Sequence, residues 1–400
     1  MGWSGSHAGF AKRLEGGPRG TRMLASRLSA ALVAVVPLTV TSCSTSSLPT
    51  ATPAVAPSVA LSSATTDVSP DGAPAYALGE FPAFPRGTLA RSTSLELQAV
   101  LDAAVKGRTF RGITASVIVA DRGSWTGAAG SDHGAPLTPG SALPTHSAGK
   151  NVVAAEVLRL AEKGELDLSA PAADLLPPEL GFFDANGATV RQVLQMRSGI
   201  PTLDEESGFY PAEKAATVVK VFKKLPESDV RPGTETEYAS TNYVLLGAII
   251  EQVTGQPLST VLRADVLAHP GLAGLVYTVD GALAADGWGV ETTSASLARW
   301  GYDLYGGFVL SKPSLRAMTN FKGEWYGLGT MDFSSAYGTS AVGHDGESSV
   351  TTCCSNIRLV ALPEEGVVIS VQANSAGVAT ADPWAEVEVL TVALRDVVSS

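Results

Sequence analysis

The 400-residue sequence is poor in the features that mark several protein classes. Its three cysteines are too few for a disulfide-rich scaffold. Its composition also excludes collagen-like repeats and a long coiled coil. Only 17% of the residues are charged, and acidic residues outnumber basic ones to give a formal net charge of −11. Binding to a phosphate backbone depends on clustered lysine and arginine, so this balance argues against a nucleic-acid partner.

The first part of the chain has no apolar run long enough to cross a bilayer as a helix. The apolar stretch from Leu28 to Val40 follows basic residues and has the length of a signal-peptide core. Residues 1–42 are therefore predicted to be a signal peptide, with Met23 as an alternative start. This segment holds five basic residues and one acidic residue, so its removal leaves a mature charge of −15.

The leader ends in Val40-Thr41-Ser42-Cys43, which resembles the lipobox of bacterial lipoproteins. Lipidation of Cys43 would anchor the protein on the outer face of the cytoplasmic membrane. The alternative is an unmodified cysteine behind an ordinary signal peptide. The chain from Ser44 to Thr88 is rich in Pro, Ser, Thr and Ala and carries few charges. We therefore expect residues 43–90 to be a lipidated cysteine and a disordered tether.

Residues 91–400 have the patterns of one folded domain with two lobes. The first part predicts a helix at 95–104 and strands at 113–120 and 124–129. The last part predicts strands at 357–362 and 367–372 and a helix from Asp382 onward. The middle predicts helices that end at glycine, at 151–163, 243–253 and 294–305. This order predicts an α+β fold with one sheet assembled from both termini, flanking helices and a central helical lobe.

The first chemical motif is Ser147-Ala148-Gly149-Lys150, directly before a predicted helix. Three residues make about one helical turn, so the Ser147 hydroxyl and the Lys150 amine lie on the same helix face. A serine at this end of a helix also lies where the dipole stabilises an oxyanion. A free lysine amine is protonated at neutral pH, so Lys150 must be desolvated or lie near another cation to act as a base. The same letters also fit an N-cap serine followed by a surface lysine.

The second motif is Tyr238-Ala239-Ser240, directly before a predicted helix. A phenol beside the serine and the lysine can carry a proton from the nucleophile to the leaving group. The alternative is a packed ring whose hydroxyl group faces water.

The third motif is His344-Asp345-Gly346, before the last strand pair. The general pattern His-x-Gly also fits at His7 and His269. Only its position and the order of the three motifs distinguish His344.

Together the three motifs resemble the class C β-lactamase, D-alanyl-D-alanine carboxypeptidase and esterase group of serine hydrolases. The resemblance extends from about Leu95 to the carboxyl terminus. Residues 147–177 resemble the family's nucleophile helix and the loop after it, 189–201 its "LL-x-H-x-SG" signature, and 238–255 its tyrosine motif and the next helix. The resemblance implies a β-lactamase/transpeptidase-like fold, in which a helical lobe packs on an antiparallel sheet with the active site at their junction.

By this resemblance, Ser147 is the nucleophile, and Lys150 with Tyr238 forms the general-base system. The backbone N–H groups of Ser147 and Glu347 would form the oxyanion hole. The reaction would be acyl transfer through an acyl-serine that water hydrolyses, with no metal or organic cofactor. The resemblance assigns five residues to substrate binding: Ser240, His344, Asp345, Gly346 and Glu347.

Two residues depart from the family's pattern. The tyrosine motif usually ends in asparagine, and Ser240 offers only one short hydroxyl group. The third motif commonly has threonine in its middle, where Asp345 stands. An ionised Asp345 in the cleft would repel a substrate carboxylate unless an Arg or Lys compensates. We therefore expect weak β-lactamase activity at most, and we expect ester, amide or amine-bearing substrates with His344 as a polar or cationic wall residue.

The adjacent Cys353 and Cys354 follow the third motif. They fit a strained vicinal disulfide or, more simply, two thiols on opposite faces of a strand. No histidine or second cysteine pair lies near them in the sequence, so no metal site is expected there.

The sequence thus predicts a membrane-tethered serine hydrolase that acts on cell-wall D-amino-acid peptides, including peptidoglycan, or on small esters and amides. The Gly-x-Ser-x-Gly motif of α/β-hydrolases does not occur in the chain. The alternative is a non-catalytic envelope lipoprotein that uses the same fold as a binding module. Ser240 and Asp345 motivate this alternative, whereas the intact Ser147, Lys150 and Tyr238 set argues against it.

Overall fold

A computed structural model describes residues 67–68, 74–202, 218–268, 274–278, 281–287, 289–348, 355–374 and 383–400. The predicted signal peptide, the lipidation site Cys43 and the pair Cys353-Cys354 lie outside the described residues, as does Asp382, the predicted start of the last helix.

The described part of the chain forms twelve strands and ten α-helices, with most of the strands near its two ends. The strands are β1 (Asp67–Val68), β2 (Pro74–Ala75), β3 (Gly112–Val119), β4 (Gly123–Asp132), β5 (Ala135–Pro136), β6 (Ala142–Pro144), β7 (Val276–Tyr277), β8 (Val290–Thr293), β9 (Met331–Asp332), β10 (Val342–Ser348), β11 (Ser355–Leu362) and β12 (Val367–Asn374). The helices are α1 (Arg91–Lys106), α2 (Lys150–Glu162), α3 (Val190–Leu194), α4 (Val218–Lys224), α5 (Thr241–Thr254), α6 (Leu258–Ala264), α7 (Ser294–Tyr305), α8 (Lys312–Met318), α9 (Ser334–Tyr337) and α10 (Pro383–Ser399).

The main sheet joins the two ends of the domain. Its strand order is β5-β4-β3-β12-β11-β10-β9, and every neighbouring pair is antiparallel. β3 pairs with β12 so that Val117 lies opposite Ile369. The α+β fold with a sheet built from amino- and carboxyl-terminal segments is thereby confirmed.

Both faces of this sheet are covered by helices. α1 and α10 pack on each other and on one face, and α7 packs on β3, β11 and β12. Every residue of β3 and of β12 is buried. This explains why the two strands read as continuous runs without an alternation of polar and apolar residues.

The central segment forms the helical lobe. The first nine residues of α2 and the first ten of α5 are all buried. A helix that is buried on all sides lies in an interior, so these two helices form the centre of the lobe. α5 ends at Gly255, whose φ of 66° is left-handed, as a glycine stop requires. None of the helices within the described ranges is long and apolar enough to span a membrane.

The prediction of a disordered tether up to residue 90 is corrected for residues 74–90. Tyr76, Phe81 and Leu89 are buried. The Tyr76 hydroxyl group donates to the Asp121 carboxylate, and the Phe81 ring packs 5.0 Å from that of Tyr302. Their neighbours have linker-like composition, but the aromatic side chains gain apolar burial on the domain surface, which offsets the cost of ordering the segment.

The lobe contains one buried carboxyl group on α2, which no motif predicted. Glu156 is fully buried. Burial, together with the nearby Asp265, raises the pKa of Glu156 to about 7, although Lys163 and Arg159 oppose the rise. Glu156 therefore takes up a proton on folding near neutral pH, because a carboxyl group in the unfolded chain is ionised there.

We predict that Glu156→Gln stabilises the protein at pH 8 and has little effect at pH 4. A carboxyl group with a raised folded-state pKa lowers the free energy of unfolding as pH rises from about 4.5 to about 7, by roughly 2–3 kcal/mol. Glutamine removes this loss. Urea unfolding of both proteins across this pH range measures the difference. An unchanged difference from pH 4 to pH 8 would contradict the assignment.

Candidate active site

The predicted nucleophile and lysine lie at the start of α2. A single 3₁₀ turn, His146–Gly149, precedes the helix, and α2 begins at Lys150. The Lys150 amine donates to the Ser147 hydroxyl oxygen at 2.8 Å and to the carbonyl oxygen of Asp286 at 2.7 Å. Lys150 is 1% exposed, so its amine is desolvated, as the sequence analysis required of a lysine that acts as a base.

The turn that presents Ser147 depends on close backbone packing. His146 has a φ of 45°, in the left-handed region that side-chain-bearing residues rarely adopt. Gly287 lies against it, where a Cβ atom would be 1.7 Å from the His146 carbonyl oxygen. Glycine at 287 thus allows the segment that carries the Asp286 carbonyl group to approach the nucleophile turn.

The His146 side chain connects the same turn to the sheet. Its Nε2 atom lies 2.6 Å from the Ser355 hydroxyl group on β11. Burial, with the neighbouring Lys150 charge, lowers the pKa of His146 to about 4. The imidazole is therefore neutral at physiological pH and adds no charge beside Ser147.

The tyrosine motif lies beside the lysine. The Lys150 Nζ atom is 5.4 Å from the centre of the Tyr238 ring. The Tyr238 hydroxyl oxygen is buried and makes no hydrogen bond to any described residue. Ser240 is half-buried at the N-cap of α5, and its hydroxyl group makes no capping hydrogen bond. The structure thus brings Tyr238 next to Lys150 without a direct hydrogen bond between them.

The third motif lies on β10, which passes close to the nucleophile turn. A Cβ atom at Gly346 would lie 2.5 Å from the Thr145 carbonyl oxygen and 3.0 Å from the Ser147 nitrogen. Only glycine permits this approach without displacing the backbone. Glu347, half-buried, is the next residue on the strand. An oxyanion hole formed by the N–H groups of Ser147 and Glu347 stays a prediction that this proximity supports.

His344 is buried and neutral, so the expected cationic wall residue is corrected. Its Nδ1 atom lies 2.6 Å from the carbonyl oxygen of Asp345, which can only accept, so Nδ1 carries the proton. Its Nε2 atom then accepts from the Tyr326 hydroxyl group at 3.0 Å. Burial, reinforced by Lys150, lowers the pKa of His344 to about 3.

Asp345 does not face the cleft, which corrects its assignment to substrate binding. Its two carboxylate oxygens accept from Arg358 Nε at 2.9 Å and from Arg358 Nη2 at 2.7 Å. Arg358 also donates to Glu388 on α10 at 3.1 Å. Burial raises the pKa of Asp345, and the guanidinium group opposes this rise. Because successive strand residues point to opposite faces, the expected repulsion of a substrate carboxylate by Asp345 does not arise.

Sequence reasoning missed several residues around this site. The Asp286 carbonyl group is a backbone acceptor and leaves no sequence signal. Trp325 stacks on Tyr238 with ring centres 6.2 Å apart, and Tyr326 packs edge-on to Tyr238 at 5.9 Å. The two aromatics precede Gly327, Leu328 and Gly329. Gly329 packs closely on α2, where a Cβ atom would lie 2.1 Å from that of Ala154. The aromatic pair followed by these glycines was the available signal in the sequence.

The site has the parts of an acyl-transfer centre. It combines a serine hydroxyl group that is hydrogen-bonded to a buried amine, an adjacent phenol, and strand β10 close to the serine. Within the described ranges, no group of three or more His, Cys, Asp and Glu side chains is placed to hold a metal ion.

Comparison with known proteins gives the same assignment. The family model described as Beta-lactamase matches residues 97–392. Esterase EstB of Burkholderia gladioli is 30% identical over 210 residues, which cover 46% of this chain and 51% of the esterase. Penicillin-binding protein 4 of Amycolatopsis lactamdurans is 33% identical over 147 residues, which cover 35% of this chain and 37% of that protein. The chain thus matches about a third to a half of the length of these curated relatives.

Solved structures agree with the fold. D-amino acid amidase from Ochrobactrum anthropi SV3 superposes with a TM-score of 0.64 at 19% identity, over 77% of this chain and 99% of the amidase. At 19% sequence identity, this similarity shows the fold alone. Because the family match spans most of the chain and includes the Ser147, Lys150 and Tyr238 motifs, the protein belongs to the beta-lactamase family.

Proposed function

We propose that the protein hydrolyses small esters or amides through an acyl-Ser147 intermediate. The 2.8 Å hydrogen bond between Lys150 Nζ and Ser147 Oγ carries this proposal. In its neutral form the Lys150 amine accepts the Ser147 proton as the oxygen attacks the carbonyl carbon. Tyr238 lies beside the amine and donates a proton to the leaving group, and the proton that Lys150 took from Ser147 then passes to the phenolate, so that both groups are neutral again. Water attacks the acyl-serine and gives a proton to the Lys150 amine, and this proton passes to the Ser147 oxygen as the acid leaves, which restores the free Ser147 hydroxyl group.

The electrostatics around the third motif favour substrates without a carboxylate. His344 is buried and neutral, and Arg358 is committed to Asp345 on the other face of β10. The positions that the family resemblance assigns to carboxylate binding therefore supply no cation. A free carboxylate that enters without a partner loses its hydration and gains no ion pair. Uncharged esters and amides avoid this loss, which disfavours wall peptides that end in a carboxylate.

We also propose that the hydrolase is lipid-anchored at Cys43 outside the cytoplasmic membrane. The apolar leader core and the Val40 to Cys43 motif support this proposal. When the protein is expressed in a bacterial host and the cells are extracted with detergent, we expect the wild type to partition into the detergent phase. The Cys43→Ala variant should partition into the aqueous phase. Intact mass of the extracted protein reports the lipid. An unlipidated, fully soluble wild-type protein would contradict the anchor.

We predict that a fluorophosphonate forms one covalent adduct with the protein and that Ser147→Ala abolishes it. Lys150→Met should slow adduct formation by at least about 100-fold, because general-base catalysis is worth roughly 10²–10⁴-fold. Intact mass spectrometry measures both effects. Ser141→Ala, six residues earlier on the same segment, is the matched control and should react like the wild type. Absence of an adduct on the folded wild-type protein would support the non-catalytic binding module instead.

We predict a preference for an uncharged leaving group in a matched pair of peptides. N-acetyl-D-alanyl-D-alanine and its carboxyl-terminal amide differ only in the terminal charge. The amide should be cleaved with a kcat/KM at least about tenfold higher, because the carboxylate meets no cation. Mass spectrometry of the released D-alanine or D-alanine amide measures both rates, with Ser147→Ala as the blank. A preference for the free acid would favour a wall-peptide carboxypeptidase.

A further inference from the structure

Trp325 is an exposed aromatic side chain that contacts the predicted catalytic tyrosine. It is 45% exposed. Its ring is stacked on Tyr238, with an interplanar angle of 27° and centres 6.2 Å apart. Phe182 and Phe308 are also exposed, and the ring contacts found for them, with Lys223 and Tyr302, lie outside the site. The exposed indole lies against a residue of the site, so its free surface can contact a ligand bound there.

The backbone and neighbours of Trp325 hold it in place. The carbonyl oxygen of Trp325 accepts from the Asp332 amide at 3.0 Å. Glu324 accepts from Arg197 at 3.0 Å, which ties the preceding residue to the helical lobe. Tyr326, the following residue, is buried and hydrogen-bonded to His344. A surface fixed in this way loses little conformational freedom when a ligand binds.

The hydroxyl group of Tyr238 indicates what reaches the indole. Its oxygen is buried and makes no hydrogen bond to a described residue, so it can bond to a ligand or to a water molecule that a ligand displaces. A leaving group that takes a proton from Tyr238 must come within hydrogen-bond distance of this oxygen. The same leaving group then lies beside the ring on which Trp325 stacks.

We infer that Trp325 is a specificity-determining residue that binds a planar aromatic or bulky apolar group in the leaving half of the substrate. This inference rests on the proposed ester and amide hydrolysis and names the substrate class more closely. The substrate is an ester or amide whose alcohol or amine component carries the apolar group. The neutral His344 behind Tyr238 is consistent with an uncharged group at this position.

Two isomeric esters test the inference on the intact chain. Benzyl acetate carries its ring in the leaving alcohol and methyl phenylacetate carries it in the acyl half, whereas methyl acetate has no ring. Titration of released acid gives kcat/KM for each. We expect the wild type to prefer benzyl acetate, and Trp325→Ala to lower its rate relative to methyl acetate by about fivefold to tenfold. The ratio for methyl phenylacetate should change less than about twofold, and Trp325→Phe should keep most of the preference.

The matched control is Phe308→Ala, because Phe308 is 40% exposed and stacks on Tyr302 away from the site. It should leave both ratios to methyl acetate unchanged. An equal fall for every ester in Trp325→Ala would overturn the inference, since Trp325 would then only support Tyr238. A change confined to methyl phenylacetate would overturn the assignment to the leaving half. If Ser147 forms the fluorophosphonate adduct but benzyl acetate is not preferred, the inference fails alone. If no adduct forms, the proposed function fails with it.

Discussion

The buried amine of Lys150 is the constraint on which the site depends. An ammonium group loses its hydration on burial, at a cost of several kcal/mol that fixed neighbours must offset. Ser147 Oγ and the Asp286 carbonyl oxygen accept its hydrogen bonds, and the rings of Tyr238 and Tyr243 lie 5.4 and 6.0 Å from Nζ. These groups come from different segments of the chain. The amine is therefore satisfied only when the helical lobe is assembled, and that assembly is the catalytic geometry.

β10 separates the Lys150 site from a buried ion pair. His344 and Gly346 face the lobe and the Ser147 turn, whereas Asp345 between them pairs with Arg358 behind the sheet. If the Asp345–Arg358 ion pair lay on the same face of the strand as Ser147, its charges would disturb the nucleophile. The alternation of the strand prevents this, because the strand backbone lies between the pair and the substrate. The strand can thus carry an acidic residue in the middle of the motif without placing a negative charge in the cleft.

Helices and strands could be predicted where the sequence shows a clear hydrophobic period and a clear terminating residue. α2, α5 and α7 were found by apolar spacing with glycine at the ends, and three-residue spacing correctly placed Ser147 beside Lys150. The orientation of Asp345 could not be predicted, because β10 reads VGHDGES and has no apolar alternation to mark its buried face. Its partner Arg358 is on another strand. The packing of Tyr76 was hidden by a linker-like composition, since the surface that receives it is formed by distant parts of the chain.

The residues that transfer protons and the residues that select the substrate differ in how well their positions can be predicted from the sequence. Proton transfer between Ser147 and Lys150 needs atoms within about 3 Å, and one turn of helix supplies that distance locally. Substrate selection depends on side chains such as Trp325, which lies far along the chain and reaches the site through stacking on Tyr238. A changed contact there alters binding by only about 1–3 kcal/mol and leaves the reaction intact. Relatives named as an esterase and as a penicillin-binding protein accordingly both match parts of this chain. The substrate must be argued from the residues around the phenol other than Lys150, and these are the rings of Trp325, Tyr326 and the neutral His344.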